Sequence, residues 1–198
     1  MTIIGIISSS LEASVGFLAA GVLLLAAFYG IVIFNGLVLL SNNIDKAWSN
    51  IDVLLKKRLD LVPNLVEIVK GYTKYERGIL EDLTRIRISA LQAREIPEKA
   101  QGSEAISASL KSVFAVAENY PDLKASANFL NLQKEISAIE TQIALRREFY
   151  NDSVLLYNTK LETIPSRFVA TLIRFRPKEY FKVGDTVDKP AEIVIGSR

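Results

Sequence analysis

Few residues in this chain carry reactive chemistry, and those that do interrupt otherwise apolar helix faces. Glu140 is the carboxylate best suited to acid–base work. Arg58, Asn64, Arg147, Tyr150, Asn151, Tyr157 and Asn158 are the other polar groups on or beside apolar stripes. There is no His, which removes the commonest general base and the commonest metal ligand. There is no Cys, which excludes disulfides, thiolate zinc sites and cysteine nucleophiles. Gly71 and Gly78 fall inside a helical pattern and open no phosphate-binding loop. The composition therefore predicts no catalytic set, no metal and no cofactor, and the chain reads as non-enzymatic. An enzyme relying on carboxylates such as Glu140 is the disfavoured alternative.

The polar residues instead have the spacing of a packing device. From Ile44 the apolar stripe runs Trp48, Ile51, Leu55, Arg58, Val62, Leu65, Val69 and Tyr72, in alternating steps of 4 and 3. Arg58 stands in its middle, and an unpaired guanidinium there costs several kcal/mol, so acceptors must face it. Counting back from a distant turn places Asn151, Asp152 and Tyr157 opposite Arg58. The same count places Glu140 near Lys70, Tyr72 and Lys74. Tyr150-Asn151 and Tyr157-Asn158 repeat at seven residues, two helical turns, so both pairs face one way. A buried network that fixes helix register accounts for Arg58, Asn64, Glu140, Arg147, Tyr150, Asn151, Tyr157 and Asn158 together; a subunit-interface role is the alternative.

The elements that hold these residues are helices. Tyr75, Ile79, Leu83 and Ile86 extend the first stripe to about Ala93, with a kink expected near Leu59 because Pro63 removes a backbone donor. Pro97 and Gly102 break the pattern. A short helix follows over Ser103–Asn119, with Ser103 as its N-cap and Pro121 after its end. A second long helix spans about Asp122 to Ile164, its phase slipping at Arg146 and Arg147. The fold expected is all-α: one N-terminal transmembrane helix, then an antiparallel bundle of two long helices, one short helix and a short C-terminal amphipathic helix.

Ala13–Ile44 contains no Asp, Glu, Lys or Arg, far more than the roughly 20 apolar residues a bilayer span needs. The run lacks the basic start and short apolar core of a signal peptide. All 24 Lys and Arg lie after residue 45, which predicts a cytoplasmic C-terminal domain and residues 1–12 outside. Residues 13–44 are then the anchor, 45–181 the bundle and 182–198 an irregular tail, in which only Ala191–Ile195 has strand character. Against those 24 basic residues the chain after the anchor carries 21 acidic ones, a net charge of +3 that is too weak for nucleic acid.

Ser166–Phe175 is short, amphipathic and basic. Phe168, Val169, Leu172 and Phe175 can share a face, with Arg167, Arg174 and Arg176 nearby. Such a segment suits either the anionic inner leaflet or the end of the bundle. Trp48 is assigned with Arg167, Phe168, Arg174, Phe175 and Arg176 to the membrane interface, with anchoring of the bundle as its other reading.

Several motifs also carry a resemblance. Phe34-Asn35-Gly36-Leu37, Ala47-Trp48, Arg58-Leu59-Asp60-Leu61-Val62-Pro63-Asn64-Leu65-Val66, Tyr120-Pro121-Asp122-Leu123-Lys124-Ala125 and Glu140 followed by Arg147-Glu148-Phe149-Tyr150-Asn151 and Tyr157-Asn158 resemble the LemA family in order and spacing. The likeness runs from about residue 33 to Phe181. It departs at Phe34, where Tyr is common, and at Arg167, where Asn is common. The resemblance implies a bacterial inner-membrane protein with its N-terminus outside, a cytoplasmic helical bundle and no established catalysis. One magnetosome-associated branch of that family is linked to forming membrane compartments.

These observations favour a membrane-anchored scaffold that self-assembles and organises the inner membrane, its partners being lipid and further copies of itself. The alternative is an adaptor that binds another membrane protein, such as a protease or envelope-stress component. A pore is weaker still, since the span has no charged residue and, before Asn42 and Asn43 at its very end, Asn35 is its one strongly polar residue.

Overall fold

A computed structural model describes residues 2–73 and 76–182, with side chains described from residue 16 onward. The described residues form six helices and no strand: α1 (Thr2–Tyr72), α2 (Arg77–Gln92), α3 (Ile96–Ala117), α4 (Pro121–Lys124), α5 (Ala127–Glu162) and α6 (Ser166–Ile173). They divide into two compact units, Met1–Asp45 with Ser153–Lys178, and Lys46–Asp152 with the chain from Glu179 onward.

The second unit is the bundle. The first stripe does not continue as one rod to Ala93. The chain turns back after Tyr72, and α2 and α3 pack on each other as a helical hairpin. An apolar period of 3.5 reads the same in a straight helix and in one folded back at a short turn, which is why the break was invisible in it. Leu65, Val69, Leu83, Ile106, Leu110 and Phe129 fill the core, each worth about 1.5–3 kcal/mol when fully buried. Long-range pairs fix the directions: Lys99 bonds Asp52 and Arg58 bonds Ser103, so α3 runs with α1. Trp48 stacks on Tyr150 and Lys57 pairs with Glu135, so α5 runs against it.

Two helix boundaries differ from the sequence pattern. α3 begins at Ile96, not at Ser103. Glu95 is its N-cap, and Glu95 with Glu98 forms a reciprocal capping box. Pro97 lies in the first turn, where a missing N–H costs nothing. Gly102 is therefore interior to α3, and it marks close approach: a Cβ there would lie 3.2 Å from the Ala90 Cβ of α2. Pro121 likewise opens α4 and does not merely end the preceding helix, so α5 starts at Ala127. Pro63 sits inside α1, which continues through it.

In the first unit, α1 contributes an apolar stretch whose eighteen most hydrophobic residues are wholly unburied. Among the described side chains, the first buried one along it is Leu37, followed by Ile44. Phe34 meets Phe175 at 6.0 Å between ring centroids. α6 ends at Arg174, which takes a left-handed conformation (φ 64°) as its C-cap. Residues 1–11, the irregular tail from 183 and the strand-like Ala191–Ile195 lie outside the residues whose side chains are described.

Candidate functional site

Arg58 is 1% exposed and is the centre of a polar cluster within the bundle. Its Nη1 donates to Glu140 Oε1 at 2.6 Å and to Ser107 Oγ at 2.8 Å. Nη2 donates to the Ser103 hydroxyl at 2.8 Å and to the Ser103 carbonyl at 3.1 Å. The Ser107 hydroxyl in turn lies 3.0 Å from both Glu140 carboxylate oxygens. Burial pushes the guanidinium below its ordinary pKa, while Glu140 beside it pulls in the opposite direction. Arg58 is the seam position where charge is offset by a carboxylate and two serines, which is the arrangement a buried cation requires. Its Nε has no partner.

The acceptors differ from those the residue count suggested. Asn151, Asp152 and Tyr157 do not meet Arg58, and Glu140 meets it in place of Lys70 or Tyr72. The count assumed a rod running to Ala93; with the turn after Tyr72, residue 140 comes level with residue 58. Asn64 and Arg147 are both exposed, so neither belongs to a buried network. Arg147 instead lines a groove of about 540 Å³ with Ser103, Ser107, Ser137, Glu140 and Thr141. Ser103 and Ser107 are the partners that sequence reasoning missed. Their spacing of four on the face opposite Arg58 was the available signal.

Tyr150, Asn151, Tyr157 and Asn158 do something else: they hold an extended segment of backbone. Within the first unit, the Asn158 side-chain amide donates to the Lys178 carbonyl at 3.0 Å and accepts the Lys178 N–H at 2.9 Å. The Tyr157 hydroxyl donates to the Arg176 carbonyl at 3.3 Å. Burial, with Asp45 nearby, raises the Tyr157 pKa, so the hydroxyl keeps the proton it donates. Within the bundle unit the pattern recurs. Asn151 exchanges the same two bonds with Phe181, at 3.4 and 2.9 Å, and Tyr150 donates to the Glu179 carbonyl at 2.8 Å. Seven helical residues advance about 10.5 Å and three extended residues about 10 Å, so a seven-residue motif matches partners three apart.

Trp48 packs against aromatic side chains of the bundle, the other of its two readings. Its ring stacks on Tyr150 and Phe181, each at 5.7 Å, with Lys99 Nζ 5.5 Å above it. Arg167, Phe168, Arg174 and Arg176 are exposed, and Phe175 is half-buried against Phe34. Among the described residues no three of His, Cys, Asp and Glu are grouped to hold a metal ion.

The sequence profile of the LemA family matches residues 47–194, which include the Arg58 cluster and both tyrosine–asparagine pairs. The chain belongs to the LemA family. Magnetosome protein MamQ of Magnetospirillum gryphiswaldense is 22% identical over 201 residues, covering 87% of this chain and 74% of the relative. Magnetosome protein MamQ 2 of Paramagnetospirillum magneticum is 22% identical over 183 residues, covering 79% of this chain and 67% of the relative. Protein LemA of Metamycoplasma hominis is 30% identical over 141 residues, 69% of this chain and 63% of its own length. With its exposed apolar N-terminal helix, this LemA-family chain is a membrane-associated helical protein.

Proposed function

We propose that this LemA-family chain is a non-enzymatic scaffold of the bacterial inner membrane, with its N-terminus outside and its bundle in the cytoplasm. One observation carries the reading: the apolar stretch of α1 from Gly16 is uncharged and unburied, so only lipid or another copy satisfies it. The basic residues, all beyond residue 45, favour a cytoplasmic bundle. The Arg58–Glu140 pair and the tyrosine–asparagine clamps commit the buried polar groups to architecture, leaving them unsuited to turnover. Leu145 and Phe149, four apart on α5 and both exposed, supply a surface for lateral association.

The test is the assembly state and sidedness of the intact chain. Native mass spectrometry of gently extracted membranes is expected to return oligomers, and protease added outside spheroplasts is expected to leave the bundle uncut. A monomer with no lateral crosslinks in cells overturns self-assembly; bundle cleavage from outside overturns the orientation. The groove lined by Ser107, Ser137, Thr141 and Arg147 favours an adaptor as the second reading. A stoichiometric membrane-protein partner in pull-downs, lost on substituting Arg147, would favour it over the scaffold.

A further inference from the structure

We infer that α6 is an interfacial foot: its Phe168 and Leu172, with Ile164 in the turn before it, insert into the leaflet on the bundle's side of the bilayer, and Arg167, Arg174 and Arg176 bind its anionic headgroups. The inference deepens the anchored reading above and rests on it.

Three observations carry it. First, Ile164, Phe168 and Leu172 are 76%, 68% and 83% exposed, whereas Ser166 and Ala170 are buried. Within α6, spacing of four puts exposed Phe168 and Leu172 on one face and buried Ser166 and Ala170 on the other, with Ile164 in the turn just before the helix, so α6 is docked on one side and apolar on the side left open. Large apolar groups at such exposure are not tolerated in water as a contiguous patch without an occupant.

Second, the ring contact between Phe34 and Phe175 within the same unit indicates depth. Phe34 lies 21 residues beyond Ala13, where the uncharged run begins, or about 32 Å along the helix. The hydrocarbon core is about 30 Å thick, so the segment touching Phe34 stands at its edge. Leu37, the first buried residue of α1 among those described, follows directly.

Third, the charge suits one occupant. From Thr163 to Lys178 there is no Asp or Glu. Lys178 pairs with Asp45 at 2.9 Å, while Arg167, Arg174 and Arg176 have no carboxylate partner among the described residues. A basic collar around an apolar face at the hydrocarbon edge matches an anionic leaflet. A second protein copy would present no reason for the collar to be uniformly basic.

The absence of native Cys permits a direct test with single-cysteine variants of the full chain. Phe168→Cys, Leu172→Cys and, as a control within the anchor, Leu24→Cys are labelled with a fluorophore. Each is reconstituted in phosphatidylcholine vesicles with or without phosphatidylglycerol, and helicity by circular dichroism verifies folding. Quenchers placed on the lipid chains are expected to reach all three probes in anionic vesicles. An aqueous quencher is expected to reach 168 and 172 only weakly. Each change of Arg167, Arg174 or Arg176 to Gln is expected to weaken the inserted state about fivefold. Probes at 168 and 172 open to the aqueous quencher, with the Leu24→Cys probe still in lipid, overturn the foot and spare the anchor. Loss of lipid quenching at the control as well overturns the anchored reading itself. Probes shielded from both quenchers identify a protein occupant and overturn the foot. Insertion that is indifferent to phosphatidylglycerol overturns the role of the arginines.

Discussion

Arg87 Nε donates to the Leu59 carbonyl at 2.8 Å, and Leu59 is the residue whose helical partner Pro63 removes. In an uninterrupted helix the N–H of residue 63 would bond the carbonyl four positions earlier. Proline has no N–H, so Leu59, whose side chain is buried, would be left with an orphan acceptor at a part-buried position. A guanidinium from α2 takes that place. The interaction explains how a proline lies inside α1 without stranding that carbonyl, and it ties α2 to α1 at the point of weakness.

Substituting Arg87 by Leu is therefore expected to cost about 1–3 kcal/mol, the range for stranding a buried acceptor. In a Pro63→Ala background the same change is expected to cost much less, because residue 63 regains its N–H. A double-mutant cycle by urea denaturation measures the difference. Equal costs in both backgrounds would show that Arg87 acts through packing and not through the Leu59 carbonyl.

The Arg58–Glu140 pair yields a second outcome. Removing one partner strands a buried charge, and buried pairs broken from one side lose roughly 3–5 kcal/mol. Glu140 is 32% exposed, so water relieves part of the penalty, and Glu140→Ala belongs at the lower end. Arg58→Met removes the buried charge itself and is expected to cost less than Glu140→Ala. Thermal denaturation of the two variants ranks them. If Glu140→Ala leaves the melting temperature unchanged, Glu140 is not a structural counter-ion and the case for catalysis reopens.

The general plan was legible because it depends on long-range composition: an uncharged N-terminal run and apolar stripes at helical spacing. The partners of Arg58 were not, because pairing depends on where the chain reverses. Moving one turn from beyond Ala93 to just after Tyr72 changes every cross-helix register. Pro97 and Gly102 misled for a related reason. Proline is neutral in a first turn and glycine is useful where helices touch, so both can read as breaks while sitting inside α3. The seven-residue repeat of Tyr150-Asn151 and Tyr157-Asn158 was visible, but an extended backbone partner has no signature in side-chain periodicity.

That backbone pairing is testable amide by amide. Asn158→Asp keeps the acceptor for the Lys178 N–H and deletes the donor to its carbonyl. Asn158→Leu deletes both. Hydrogen exchange at Lys178 is expected to accelerate strongly for Leu and little for Asp, with a stability loss of about 1 kcal/mol per bond removed. The same substitutions at Asn151 are expected to act on the Phe181 amide. Unchanged exchange at both amides in the Leu variants would mean that the segment is held by other contacts.

The α3 capping box gives a pH dependence with a definite sign. The Glu98 carboxylate accepts from the backbone N–H groups of Arg94 and Glu95, at 3.0 and 3.4 Å, and these bonds hold its pKa below the ordinary carboxylate value. A depressed pKa in the folded state means that the unfolded chain takes up the proton first. The contribution is therefore complete above the unfolded pKa of about 4.3 and is lost as pH falls through the lower, folded value. Glu98→Gln can still cap but cannot titrate. The wild-type urea midpoint is expected to exceed that of the variant at neutral pH and to converge with it in acid. A difference between the two that stays constant from pH 7 to the acid limit would show that the charge on Glu98 contributes nothing to the box.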